Sequence, residues 1–184
     1  AVEFSGPVIN SLSMDGRFTI CNMVVEMGAK AGFMPVDKTT FAWLKPRVGG
    51  RRKIEAVNPD KGAVYHKVLE YDISALKPQV SSPHSVDNAV AVSELKGTRI
   101  NEAFIGTFTN ARLSDLKAAA RVLKSRKVAR EVRLIIAPSS RTVFLEAMKL
   151  GIIEVFIKAG AVILTPGCGP CVGTHNGVPA DGEV

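Results

Sequence analysis

Ala103-Phe104-Ile105-Gly106-Thr107-Phe108-Thr109-Asn110-Ala111-Arg112-Leu113 reads as a short apolar strand that opens into a loop and then a helix. Leu113, Leu116, Ala120 and Leu123 line one face of that helix. Val132 to Ala137 predicts a second strand, helical patterns follow over Thr142–Leu150 and Ile152–Ala159, and Ala161 to Leu164 predicts a third strand. Strand and helix alternate, so the fold class expected is α/β, a parallel sheet with helices on both faces. In such a sheet ligands bind beyond the carboxyl ends of the strands. Three loops leave such ends: 106–110, 138–141 and 165–171. They are expected to border one crevice, with Phe108 facing the Cys168–Cys171 loop across it.

Toward the amino end, Val2 to Leu12 predicts short extended structure ending in a turn. Phe18, Ile20, Met23, Val24 and Met27 recur at helical spacing, predicting a helix around Arg17–Gly32 that ends near Gly28 and Gly32. Asn22 and Glu26 would lie four residues apart on one face of it. A short helix is expected over Thr39–Leu44, stopped by Pro46, and a basic surface loop from Gly49 to Gly62. Tyr65 to Ile73 approaches strand alternation. Lys77 to Asn88, with Pro78 and Pro83, marks the expected boundary between two units, residues 1–80 and 81–184.

The chain has 184 residues, 24 of them basic and 17 acidic, for a net charge of +7. Basic residues gather in Lys45–Lys53 and Arg121–Arg133, first of all as a solvated loop and a helix surface. Attraction for an anionic metabolite comes next. Nucleic-acid binding ranks lowest, because one Trp, two Tyr and eight Phe leave few aromatics to interleave with the charge. No apolar run approaches the roughly 20 residues that cross a bilayer. Ala1-Val2-Glu3-Phe4 has neither a basic flank nor an apolar signal core. The compartment expected is the cytoplasm, with no membrane contact.

Three cysteines are too few for a disulfide scaffold. Cys168 and Cys171 form a CxxC, open to three readings. A redox pair normally starts a helix, whereas Gly167, Gly169 and Pro170 point to a rigid loop. A metal site would need more ligands, with His175 the candidate third. Both thiols can also be unligated. Cys21 is expected to pack as a small hydrophobe.

Arg17-Phe18-Thr19-Ile20-Cys21-Asn22-Met23 with Glu26-Met27-Gly28-Ala29 resembles the aconitase-superfamily helix that carries an active-site Asn and Glu. Ser82-Pro83-His84-Ser85-Val86-Asp87-Asn88 resembles that family's entry into its third domain. The 104–112 stretch resembles the loop of its first cluster cysteine, and Pro166-Gly167-Cys168-Gly169-Pro170-Cys171 the loop of the other two. Within the superfamily, Gly28-Ala29-Lys30-Ala31-Gly32 and Asp37-Lys38-Thr39 look closest to 3-isopropylmalate dehydratase large subunits, with homoaconitase large subunits the near neighbour.

The resemblance implies an aconitase-like fold, with residues 1–80 the end of the second domain and 81–184 most of the third, cluster-bearing one. It implies a [4Fe-4S] cluster held by three cysteines, two of them Cys168 and Cys171, whose open iron acts as a Lewis acid. Asn22 and Glu26 would be the catalytic residues beside the substrate, Glu26 binding or orienting a hydroxyl or water. The reaction implied is the isomerisation of 2-isopropylmalate and 3-isopropylmalate by dehydration and rehydration, in leucine biosynthesis. The partners implied are a small hydroxy-di- or tricarboxylate and a small subunit carrying the swivelling domain.

Two departures qualify this. Phe108 stands where the family has its first cluster cysteine, the remaining one of the three, and a phenyl ring has no lone pair for iron, so the cluster is expected to be absent or unstable. The chain is also far shorter than the family's large subunit, so it is expected to be an internal piece, inactive alone. A degenerate, cluster-free binding or scaffold module is the alternative.

Overall fold

The computed structural model describes residues 1–49, 53–174 and 176–184. His175 and part of the Lys45–Lys53 and Gly49–Gly62 stretches therefore lie outside the described residues.

The carboxyl half holds the largest sheet. Strands β5 (Glu102–Ile105), β6 (Arg133–Ile136) and β7 (Val162–Ile163) run parallel in that order, with Phe104 opposite Ile135 and Ile136 opposite Ile163. Between them come α4 (Leu113–Leu123), α5 (Arg141–Lys149) and α6 (Ile152–Ala159). Side chains alternate across a strand, so Leu134 and Ile136 face one way and Ile135 and Ala137 the other. Leu134 and Ile136 meet Leu116, Ala120, Ala147, Ile153 and Phe156 in the main core. Burying a side chain such as Phe156 or Ile153 stabilises by about 1.5–3 kcal/mol. Ile135, Ala137 and Leu164 form a smaller cluster with Phe104 on the opposite face.

The parallel α/β sheet is as expected, but α4, α5 and α6 share one core on one face. The other face meets Pro170 and Gly177: a Cβ on Gly177 would lie 2.5 Å from Ile135 Cδ1 and 2.8 Å from Pro170 Cγ. The helices begin and end where chain chemistry dictates. Ser140 Oγ accepts from Val143 N at the start of α5, and Gly151 and Gly160 take left-handed conformations around α6.

The amino half is built on β1 (Val2–Glu3) and β2 (Gly32–Phe33), a parallel pair, with α1 (Pro7–Ser11), α2 (Met14–Met23) and α3 (Lys38–Val48). Helix α1 replaces part of the extended segment expected over Val2–Leu12, with Pro7 at its first turn. Helix α2 stops well short of Gly28. The chain must return so that Gly32 can pass over α2, where a Cβ would lie 3.0 Å from both Cys21 Cα and Val24 Cγ1. Turns over 24–28 make that return possible, and Glu26 falls in them. Helix α3 runs through Pro46 instead of stopping there. Proline that close to the end forfeits a single helical bond, to Ala42. Arg47 holds the last turn, donating to Trp43 O at 2.7 Å and stacking 3.8 Å above the Trp43 ring.

Arg17 anchors this half. It is only 3% exposed and donates to the carbonyls of Asn10, Leu12 and Pro35, to Thr40, and to both oxygens of Asp37. A buried guanidinium requires such complete pairing.

Between the halves, β3 (Gln79–Ser81) and β4 (Ala89–Ala91) form an antiparallel pair. The strand expected over Tyr65–Ile73 does not form, and Val64, Val68 and Tyr71 are 96%, 80% and 74% exposed. Alternation marks a strand that has a face to bury, and among the described residues no strand pairs with it. Tyr65 is tied down by a hydrogen bond to Glu3.

Candidate functional site

All three strands of the large sheet point the same way, so the loops at 106–112, 137–140 and 164–173 leave one end of it. The first two are stitched together where Ser139 N donates to Ala111 O at 3.0 Å. Gly106 lets the chain leave β5 tightly, since a Cβ there would run into the Phe104 ring.

Helix α2 docks on the first of these loops through Asp15, Phe18, Thr19 and Asn22, spaced as one helical face. Asn22 Nδ2 donates to Thr109 Oγ1 at 2.6 Å. Thr19 Oγ1 lies 3.1 Å from both Thr109 O and Asp15 O, and its one proton serves the two carbonyls. Asp15 Oδ2 accepts from Ser114 at 2.8 Å, and its other oxygen lies 4.0 Å from Arg112 Nε. The Arg112 guanidinium stands 4.8 Å above the Phe18 ring and donates to Phe108 O at 2.9 Å. Arg112 Nε and the Thr107 hydroxyl are both buried, with no hydrogen-bond partner among the described residues.

The expected site residues are thus placed unequally. Asn22 sits at the junction with the 106–112 loop. Glu26 would extend the 15–18–19–22 stripe if α2 continued, but it lies beyond the helix end and is exposed. The reading that put Asn22 and Glu26 on one helical face is corrected by the early stop at Met23. Phe108 is 48% exposed. Cys168 is half-buried and Cys171 exposed, and both are free thiols. Cys171 N donates to Cys168 O at 3.1 Å, opening a 3₁₀ turn over Gly169–Val172. Cys21 lies on α2 in an apolar cleft with Met14, Phe18, Met34, Pro35 and Val36, and burial pushes its thiol pKa up.

Thr19, Thr109 and Arg112 lie within the motif-bearing stretches without being singled out there, and Asp15 lies outside them. Their pairing across the two segments is visible only in three dimensions.

A cluster held by three thiolates does not fit these residues. Phe108 offers no donor, and among the described residues no three His, Cys, Asp or Glu side chains gather to hold a metal ion. Nor is any helix among them long and apolar enough to cross a membrane.

The chain is 50% identical to the 3-isopropylmalate dehydratase large subunit of Elusimicrobium minutum, over 100% of this chain and 44% of that protein. The large subunit 2 of the same name from Archaeoglobus fulgidus gives the same figures. The methanogen homoaconitase large subunit of Methanocaldococcus jannaschii is 48% identical, over 100% of this chain and 46% of its own length. The chain thus spans less than half the length of these relatives. The family model described as Aconitase family (aconitate hydratase) matches residues 1–98 and 93–184, the entire chain between them. The chain therefore belongs to the aconitase family.

Proposed function

We propose that this chain contributes one part of a hydro-lyase large subunit that interconverts 2-isopropylmalate and 3-isopropylmalate by dehydration and rehydration, and that it is inactive alone. The observation that carries this reading is the docking of the Asp15–Asn22 stripe on the 106–112 loop and the first turn of α4, which joins the two motif-bearing segments at one end of the sheet. The names of the relatives from Elusimicrobium minutum and Archaeoglobus fulgidus favour isopropylmalate. The name of the Methanocaldococcus jannaschii relative favours a homoaconitase-type substrate as the second reading.

Residues 1–80 and 81–184 act as two domain portions in this proposal. With its amide nitrogen committed to Thr109, Asn22 keeps its amide oxygen to accept from the hydroxyl of a hydroxy-di- or tricarboxylate. Glu26, on the turn beyond α2, orients that hydroxyl or the departing water once the rest of the subunit closes over it. Cys168 and Cys171 retain two of the family's three cluster-ligand positions. With Phe108 at the third, the [4Fe-4S] cluster is absent or unstable, and no step is assigned through it. The partner is the small subunit with the swivelling domain, and the compartment is the cytoplasm. Phe108 also supports the alternative, a cluster-free binding or scaffold module.

The test exchanges residues 1–184 for the matching stretch of the Elusimicrobium minutum large subunit, co-expressed with its small subunit. Consumption of 2-isopropylmalate and of homocitrate is then measured with and without Phe108→Cys. Turnover of 2-isopropylmalate only with the substitution is expected. Preference for homocitrate would favour the second reading, and no turnover of either acid with Phe108→Cys would favour the scaffold module.

A further inference from the structure

The run Cys168-Gly169-Pro170-Cys171 carries a chemistry that needs no third ligand. The glycines and proline around it predict a rigid loop, yet the chain closes into a turn, with Cys171 N donating to Cys168 O at 3.1 Å. A turn closed in this way holds its end Cα atoms within about 7 Å. A disulfide asks for a Cα separation of about 4.4–6.8 Å. The two cysteines thus stand at the two ends of one closed turn, within the Cα reach that a disulfide needs.

The turn is also pre-organised. Gly169 is buried with φ 50, a conformation open to glycine at little cost, and Pro170 brings its own fixed φ. Thr174 donates to Gly169 O through its amide and its hydroxyl, at 3.3 and 3.1 Å, and Gly173 N donates to Pro170 O at 2.9 Å. Oxidation would close a ring on backbone that is already closed. The two thiols differ in access, Cys171 being exposed and Cys168 half-buried. The third cysteine, Cys21, stands apart in its apolar cleft.

We propose that Cys168 and Cys171 form a reversible dithiol–disulfide pair that exchanges with small-molecule disulfides. The exposed Cys171 sulfur loses its proton to solvent and attacks one sulfur of the disulfide. An S–S bond forms to Cys171, and one small thiolate leaves and takes up a proton. Cys168 then loses its proton and attacks the Cys171 sulfur, closing the internal disulfide and releasing the second small thiol. The protein gives up two electrons and two protons, and one small disulfide becomes two thiols.

The proposal rests on the reading that no cluster occupies these sulfurs, so the test begins with iron and sulfide analysis of the anaerobically purified chain. The chain is then equilibrated with graded mixtures of reduced and oxidised glutathione, quenched in acid, denatured, alkylated and weighed by mass spectrometry. Alkylated cysteines are expected to fall from three to one in a single step, with Cys21 the one that remains. Cys168→Ser is expected to accumulate a glutathione adduct on Cys171, which the parent chain resolves. Three alkylated cysteines throughout, disulfide-linked dimers in place of the internal bond, or no adduct on Cys168→Ser would each overturn the pair. Stoichiometric iron and sulfide at the outset would sink the cluster-free reading instead, and the same titration after chelation would still decide the pair.

Discussion

The side-chain amide of Asn22 donates to the hydroxyl of Thr109 at 2.6 Å, across 87 positions of sequence. The bond sits at the end of a stripe in which Asp15, Phe18 and Thr19 also meet the 106–112 loop and the first turn of α4. A hydrogen bond of this kind contributes about 0.5–1.5 kcal/mol net. Asn22→Ala and Thr109→Val are each expected to destabilise by that amount, and the double variant by less than the sum. Urea unfolding followed by Trp43 fluorescence measures it, since the Trp43 ring lies 5.0 Å from that of Phe18. Strict additivity would mean that the bond couples nothing.

Acid should find Asp37 and Glu183. Hydrogen bonds from Arg17, then the Thr40 amide, hold the Asp37 carboxyl well below the usual carboxylate range. The Arg133 guanidinium and the Ala180 amide lower Glu183 from its ordinary 4.5 to about 2. Both folded values are depressed, so the stabilisation is fully present above the unfolded values and lost as pH falls through the folded ones. The thermal midpoint is expected to decline between pH 4.5 and about 2. Asp37→Asn with Glu183→Gln should start lower at neutral pH and decline less steeply. An equal slope in parent and variant would refute the assignment.

The main core offers a sharp contrast between neighbours. Phe156 is fully buried on α6, whereas Ile157 is 61% exposed on the same helix. Phe156→Ala is expected to cost about 3–5 kcal/mol, through lost burial and the cavity left behind. Ile157→Ala should stay within about 0.5 kcal/mol, as surface changes do. Paired denaturant titrations test both, and a large effect at Ile157 would mean that its face is covered in solution.

The carboxyl half was legible because apolar period and buried face coincide there. Leu116 and Ala120 fall on the α4 stripe that meets the sheet, and α6 has the bounds that Ile152 and Ala159 suggest. The end of α2 was not legible. Val24 and Met27 prolong the helical period, while the need to stop comes from the close approach of Gly32 to Cys21 and Val24. The alternation over Tyr65–Ile73 describes two faces but names no partner strand, and none among the described residues pairs with it. At the candidate site, motifs reach Asn22, Glu26, Cys168 and Cys171 by resemblance. Thr109 and Arg112 emerge only when two distant segments meet. Arg17 heads a quoted motif, yet its pairing with Asp37, 20 positions away, appears only in the fold.

Phe108 is where the reading of the site can be pressed hardest. The residue is 48% exposed, and its backbone carbonyl, not its ring, takes the Arg112 bond. Phe108→Cys should therefore leave the fold within about 0.5 kcal/mol of the parent. It adds the soft donor that an iron–sulfur cluster needs and a phenyl ring lacks. Anaerobic reconstitution is expected to give little iron or sulfide on the parent chain and a clear gain on Phe108→Cys. Phe108→Ser, which opens the same space without a thiol, should behave like the parent, and adding Cys171→Ser to Phe108→Cys should abolish the gain. A cluster on the parent chain would call for another ligand. A Phe108→Cys variant that folds normally but takes up no iron would remove position 108 from the ligand set, and with it the carry-over of that motif to this chain.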